Sequence, residues 1–135
     1  MKMSSYKPEG YNSVSPYFVV DGAQTMIEML KQIFGGTELR RYNNPDGTIM
    51  HVEVKLDDSV VMIADSSDQF PAIQHLIHVY VENVDETFGR AVSLGCTPLE
   101  KPKERDNDPD RRGSFEDFAG NIWTVSTQMQ KGSTA

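Results

Sequence analysis

The hydrophobic positions of residues 13–65 change their spacing in a regular order. Residues 23–34 carry apolar side chains three and four positions apart and are followed by Gly35, a pattern that predicts an amphipathic helix. Four short runs rich in strand-forming residues surround the helix: residues 13–20, 37–42, 49–56 and 59–64. The pattern therefore predicts a β-α-β-β-β module.

The same order of elements returns in the second half of the chain. A shift of 62 positions lays residues 60–63 on residues 122–125, and both segments read as the second strand of a β-hairpin. Such a repeat predicts two copies of one supersecondary unit. We therefore predict one α+β domain over residues 1–135, with module 1 at 13–65, module 2 at 75–127 and tails at 1–12 and 128–135.

Composition and charge narrow the classes of protein that fit. Hydrophobic residues make up 38% of the chain and charged residues 24%, which is typical of a globular protein. The formal net charge of −7 would repel a phosphate backbone, so no nucleic-acid partner is expected.

Cys96 is the single cysteine, which excludes an internal disulfide and favours a buried thiol in a reducing compartment. No apolar run reaches the ~20 residues of a membrane span and the N-terminus lacks the apolar core of a signal peptide, so we expect a cytoplasmic protein with no membrane partner.

Several motifs of the two modules resemble the vicinal oxygen chelate superfamily. They are VVDG before the first helix, DGTIMHVEV and DSVVMIAD in module 1, and VYVENVD and DRRGSFEDFAGNIWTV in module 2. The similarity covers residues 13–127 and is closest to the PhnB-like branch of glyoxalase, bleomycin-resistance and dioxygenase-related proteins. Its most specific part is the stretch that contains Asp117, Gly120, Asn121 and Trp123.

The resemblance implies an architecture and an assembly. Each module is expected to curl its sheet into half of a cup, with the helices on the outer face of the curved mixed sheet. The two halves pair within one chain or are exchanged between chains. Homodimers are common in the superfamily, so a homodimer is expected.

The resemblance also implies where a metal ion would bind. Metal-using members place one ligand on the first strand and one on the last strand of each module. Four positions match by hand alignment: Ser15, Met62, Leu76 and Thr124. A leucine has no lone pair, a methionine thioether suits soft ions, and neutral hydroxyls do not offset the charge of a divalent cation. We therefore predict no metal ion and no cofactor.

Strand alternation predicts a ligand pocket on the face that carries these four positions. The other residues expected on that face include the aromatic side chains of Tyr17, His78 and Tyr80. His51 and Glu53 are also expected on that face, and the shift of 62 positions adds Phe115 as the counterpart of Glu53. Arg111 is expected at the rim of the pocket. Arg112 has the opposite parity from Arg111, and Trp123 is expected on the helix side.

The strand at residues 49–56 carries the most suggestive pair of polar side chains. His51 and Glu53 are two residues apart, so an imidazole and a carboxylate lie side by side. They can act as general acid and base or form a mutually satisfied polar pair. We expect a metal-free small-molecule-binding protein. The alternative is an enzyme (a lyase, isomerase or dioxygenase) that uses either a metal at misaligned ligands or His51 and Glu53; metal-dependent glyoxalase or dioxygenase activity is disfavoured.

Overall fold

The computed structural model describes residues 6–129. The chain divides into two compact units at the boundary between Ile73 and Gln74, inside a polar connector. Each unit holds one β-α-β-β-β module with its own four-stranded mixed sheet. The predicted α+β class with two such modules is confirmed. The outermost parts of the two predicted tails, residues 1–5 and 130–135, lie outside the described residues.

The first module contains, in chain order, β1 (Tyr17–Val20), α1 (Ala23–Phe34), β2 (Thr37–Asn43), β3 (Ile49–Leu56) and β4 (Ser59–Asp65). Its sheet has the order β1-β4-β3-β2, with β1 parallel to β4 and the other pairs antiparallel. The buried stripe of α1 includes Met26 and Leu30, and the sheet contributes Phe18, Val52 and Ile63 to the core. Full burial of such a side chain contributes about 1.5–3 kcal/mol. The apolar core therefore lies between α1 and one face of the sheet.

Asp65, the last residue of β4, holds the start of α1. Its Oδ1 accepts hydrogen bonds from the backbone N–H groups of Gly22 and Ala23, at 3.3 and 2.8 Å, and its Oδ2 accepts one from Ile49 at 2.7 Å. Gly22 has a φ of 103°, a left-handed conformation that residues with a side chain rarely adopt. A carboxylate at this end of a helix also interacts favourably with the helix dipole. One side chain thus ties β3, β4 and α1 together.

The second module contains β5 (Leu76–Tyr80), α2 (Val84–Ser93), β6 (Thr97–Glu104), β7 (Asp110–Glu116) and β8 (Ile122–Gln128). Its sheet has the order β5-β8-β7-β6, with β5 parallel to β8. Asn83 caps α2, because its side-chain oxygen accepts a hydrogen bond from the N–H of Glu86 at 3.1 Å. Across residues 6–129, neither helix has the length and apolar character needed to cross a membrane.

The turn between β7 and β8 is built around the buried side chain of Asp117. Its Oδ1 accepts hydrogen bonds from the N–H groups of Ala119 and Asn121, and its Oδ2 accepts one from Nε1 of Trp123 at 2.9 Å. The side chain of Asn121 in turn accepts a hydrogen bond from the N–H of His75 at 2.7 Å. The motif most specific to the family resemblance therefore satisfies buried polar groups and fixes the indole ring in the core.

Candidate functional site

Tyr17, Met62 and Glu53 form one row across three neighbouring strands of the first module. Met62 of β4 pairs with Tyr17 of β1 on one side and with Glu53 of β3 on the other. Paired residues point to the same face of a sheet, and the core residues Val52 and Val54 lie on the other face. Glu53 is nonetheless only 5% exposed, so its carboxylate is a buried charge that needs partners.

Three side chains contact the Glu53 carboxylate. Nε2 of His51 lies 2.8 Å from Oε2, the Tyr11 hydroxyl donates to Oε1, and Nε of Arg40 lies 3.3 Å from Oε1. Arg40 also donates to the Tyr11 oxygen at 3.2 Å. On the other side of the imidazole, the Tyr17 hydroxyl lies 2.8 Å from Nδ1 of His51. A continuous hydrogen-bonded chain therefore runs from Tyr17 through His51 to Glu53.

The charge of Glu53 sets the protonation of this chain. Burial raises the pKa of Glu53, but the hydrogen bonds from Tyr11 and His51 and the charge of Arg40 outweigh burial and leave the pKa below its ordinary value. Glu53 is therefore a carboxylate at neutral pH. Burial, together with the nearby charge of Glu53, raises the pKa of Tyr17, so the phenol keeps its proton.

A β-bulge in β2 brings Arg40 to this face. Glu38 pairs with Val54 and Arg41 pairs with Val52, so three steps along β2 correspond to two steps along β3. The additional residue keeps Arg41 on the side of α1 and turns Arg40 to the side of the carboxylate. The sequence contains no clear sign of a bulge within this strand, and Arg40 was missed.

Two tyrosines of the site were also missed by sequence analysis. Tyr42 pairs with His51 across β2 and β3, and their ring centroids are 6.2 Å apart. Tyr11 belongs to the segment before β1, whose polar composition with Pro8 and Gly10 predicts a tail. The Arg40 guanidinium lies 5.1 Å from the centroid of the Tyr11 ring, so a cation–π contact helps to hold that segment in place.

The positions implied for metal ligands do not fit a metal ion. Ser15 lies before the start of β1, and Tyr17 rather than Ser15 stands opposite Met62. Leu76 pairs with Ile122 and not with Thr124. Among residues 6–129, no group of three or more His, Cys, Asp or Glu side chains is arranged to hold a metal ion. The donors at these positions are hydroxyl and thioether groups, a poor set for a divalent cation.

The predicted pocket residues of β5 lie on an exposed side of that strand, because Leu76, His78 and Tyr80 are exposed and alternate with less exposed residues. Nε2 of His78 lies 2.9 Å from Oγ of the buried Ser126, and the Tyr80 hydroxyl donates to Asp110 at 2.7 Å. Burial is the main cause that lowers the pKa of His78. The hydrogen bond to Asp110 is the main cause that raises the pKa of Tyr80.

The predictions for Phe115 and Arg111 are wrong. Phe115 is fully buried and pairs with Trp123, with ring centroids 6.5 Å apart and ring planes 12° apart. It therefore belongs to the core and lines no pocket. Arg111 forms a two-pronged ion pair with Asp85 in the first turn of α2, with N–O distances of 2.9 and 3.0 Å. It is therefore held by the helix and is not at a pocket rim.

The error comes from the length of the second hairpin. Lys55 pairs with Val60, five residues later, whereas Glu116 pairs with Ile122, six residues later. Residues of β3 therefore correspond to residues 61 positions later on β7, whereas residues of β4 correspond to residues 62 positions later on β8. A shift of one residue exchanges the two faces of a strand. The counterpart of Glu53 is consequently Ser114.

Cys96 is buried, as the sequence predicted. Burial, with a smaller contribution from the charge of Asp117, raises the pKa of the thiol to about 11. A thiol of this kind is protonated at neutral pH and is a poor nucleophile.

A cavity of about 570 Å³ lies at the loop between β6 and β7. It is lined by Glu104, Arg105, Asn107, Asp108, Pro109 and Met129. None of the predicted site residues belongs to it.

Comparison with known proteins gives relatives at low identity. No family model matches the chain. An uncharacterized protein of Mycobacterium bovis, Mb0911c, is 27% identical over 130 residues, which cover 88% of this chain and 85% of that protein. Among solved structures, TioX from Micromonospora sp. ML1 is similar with a TM-score of 0.69 at 20% identity, over 92% of this chain and 98% of TioX.

Two further solved structures share the architecture. The fosfomycin resistance protein FosX from Listeria monocytogenes has a TM-score of 0.67 at 15% identity, over 86% of this chain and 92% of FosX. A PhnB protein from Bacillus cereus has a TM-score of 0.65 at 15% identity, over 86% of this chain and 99% of that one. The chain has the fold of the vicinal oxygen chelate superfamily, and the similarity predicted from its motifs is confirmed at the level of the fold.

Proposed function

We propose that this protein binds a small molecule, without a metal ion, on the face of the first module that carries Tyr17, His51 and Glu53. The observation that carries the proposal is the buried carboxyl group of Glu53 at the base of a hydrogen-bonded chain that ends at a partly exposed tyrosine. Replacing a buried ion pair with well-packed apolar residues is often neutral or stabilising, so fold stability alone gives little reason for a polar network here. A binding site, in contrast, requires polar groups held in fixed positions.

The side chains around the network suit a small organic ligand. Tyr17 is 41% exposed and Tyr42 is 49% exposed, and both rings are close to the His51 imidazole. Met62, which lies between Tyr17 and Glu53, supplies a flexible apolar side chain. Contact with one such aromatic ring contributes about 0.5–1.5 kcal/mol beyond the burial of area. Leu76, His78, Tyr80 and Thr124 remain a prediction for ligand contacts in the second module.

The comparison proteins support a small-molecule ligand. FosX, which has this fold, is a fosfomycin resistance protein, and fosfomycin is a small molecule. The donor set at the implied ligand positions argues against a metal-dependent mode, because Met62 and the neighbouring hydroxyls do not suit a hard cation.

We also propose a homodimer. Each four-stranded sheet of residues 6–129 ends in two edge strands, β1 and β2 in the first module and β5 and β6 in the second. An edge strand offers unpaired backbone groups with which a strand of another chain can pair.

A second candidate function is proton transfer to or from the bound molecule. Tyr17 can take a proton from a ligand at Oη while its own proton moves to Nδ1 of His51, and the resulting imidazolium is stabilised by the Glu53 carboxylate. The reverse steps return the proton, so no co-reactant is needed. Proton NMR in D2O tests this candidate on any identified ligand: ligand C–H signals that disappear with the wild type and persist with His51→Ala support it, and equal rates contradict it.

Native mass spectrometry and elemental analysis test the main proposal. The protein should be purified without chelator, alongside Tyr17→Ala and the control Tyr6→Ala, since Tyr6 is 88% exposed. We expect a small-molecule adduct in the wild type and Tyr6→Ala, a weaker adduct in Tyr17→Ala, and much less than one metal ion per chain. A stoichiometric divalent metal, or equal adducts in all three proteins, would contradict the proposal.

A further inference from the structure

The buried carboxylate of Glu53 fixes the direction of every hydrogen bond in its network. An ionised carboxylate has acceptor oxygens and no proton to donate. When the His51 ring carries a single proton, that proton must therefore be on Nε2, 2.8 Å away, which donates it to Glu53. Nδ1 of the same ring then has a lone pair and no proton, and it can only accept.

This assignment determines what the Tyr17 oxygen can still do. The Tyr17 hydroxyl lies 2.8 Å from Nδ1, so its single proton is donated to His51. The lone pairs on Oη remain, and the Tyr17 side chain is partly exposed. If the network stays intact, the Tyr17 oxygen can only accept a further hydrogen bond, so another molecule must donate it.

We infer that the ligand of this face presents a hydroxyl or N–H group to the Tyr17 oxygen, so that the site selects hydrogen-bond donors and rejects molecules that offer only acceptors. This inference rests on the proposed function and names the ligand chemistry of the same site. A group that offers only acceptors leaves its own lone pairs and those of Tyr17 facing each other, without a proton between them.

The charges around the network favour a neutral donor over an ammonium group. The Arg40 guanidinium is 3.3 Å from the Glu53 carboxylate, so it offsets the negative charge that would otherwise attract a cation. The Tyr17 and Tyr42 rings and the Met62 side chain provide apolar contacts next to the donor position. The expected ligand class is a neutral aromatic or apolar molecule with a hydroxyl or N–H group at one end.

Matched pairs of small aromatic compounds test the inference. Phenol and anisole differ in the donor proton, as do indole and N-methylindole, and each is titrated into isotope-labelled protein with NMR detection of the Tyr17, His51 and Tyr42 signals. We expect phenol and indole to bind about tenfold more tightly than their methylated partners, the effect of one hydrogen bond. The preference should disappear in Tyr17→Phe and remain in Tyr6→Phe, which makes the same chemical change at an exposed tyrosine.

Three outcomes separate this inference from the proposed function. Equal binding of the methylated compounds on this face overturns donor selection and leaves small-molecule binding standing. Absence of binding on this face by all four compounds at millimolar concentration counts against the proposed function and, with it, the inference. Nitrogen NMR of wild-type His51 provides a reading without ligand: the neutral ring should be protonated at Nε2, and protonation at Nδ1 overturns the inference by itself.

Discussion

Phe115 and Trp123 stack across β7 and β8 in the core of the second module, with ring planes 12° apart. Both side chains are fully buried. Truncating a buried phenylalanine removes its contacts and leaves a cavity, so Phe115→Ala should reduce the free energy of unfolding by about 3–5 kcal/mol. Urea denaturation measures the change. Phe118→Ala, at a residue that is 48% exposed, should reduce the free energy of unfolding much less. Equal reductions in the two variants would place Phe115 outside the core.

The same pair shows what the sequence could and could not predict. The helix at Ala23–Phe34 and the repeated module follow from spacing alone, because apolar periodicity survives small changes in loop length. The face on which a β7 side chain lies depends on how many residues separate it from its partner on β8. Glu116 and Ile122 are six positions apart, whereas the equivalent pair in the first module, Lys55 and Val60, is five positions apart. The prediction therefore failed for Phe115 and Arg111 while the fold was correct.

The site in the first module was predicted in part for a related reason. His51 and Glu53 follow from alternation along one strand, and Tyr17 follows from alternation along the first strand, two residues after Ser15. Arg40 depends on a bulge, and Tyr11 depends on the path of a segment without regular structure. Neither feature leaves a periodic signal in a single sequence.

Glu53→Gln tests the cost of disturbing the network. The glutamine amide lacks the charge that pairs with Arg40, and its NH2 group cannot accept a hydrogen bond as a Glu53 oxygen does. We therefore expect the free energy of unfolding to fall by about 1–3 kcal/mol. Glu86→Gln is the matched control, because Glu86 forms an exposed ion pair with Arg90 on one helix and should matter little. A negligible effect of Glu53→Gln would show that the network is not formed.

The pKa of Glu53 also predicts how stability depends on pH. The folded-state pKa lies below the ordinary value, so the ionised form stabilises the fold above the unfolded-state pKa of about 4.3, and this contribution is lost as the pH falls through the folded-state value. The free energy of unfolding, measured by denaturation at a series of pH values from 7 down to 3, should decrease less steeply with falling pH for Glu53→Gln than for the wild type. Parallel curves for the two proteins would argue that the pKa of Glu53 is the same in both states.

Cys96 should be unreactive in the folded protein. With a pKa of about 11, its thiolate fraction at pH 8 is on the order of one in a thousand, and the side chain is buried. A chromogenic disulfide reagent at pH 8 should therefore label the protein slowly without denaturant and quickly in guanidinium chloride. Rapid labelling of the folded protein would contradict the buried position.

The proposed homodimer makes a prediction about mass. Sedimentation equilibrium at micromolar concentration should give twice the 15.2 kDa of one chain. A particle with the mass of one chain would rule out a dimer under these conditions.

The most direct test of the central claim is a residue-resolved NMR titration of the wild-type protein with phenol, the smallest aromatic donor. We expect the largest shifts at Tyr17, His51 and Tyr42 of the first module, and we expect Tyr17→Ala but not Tyr6→Ala to remove them. The His51 signals should move because the ligand contacts the end of the hydrogen-bonded chain that leads to Glu53. Shifts confined to the second module, or identical titrations of the wild type and Tyr17→Ala, would contradict binding at this face.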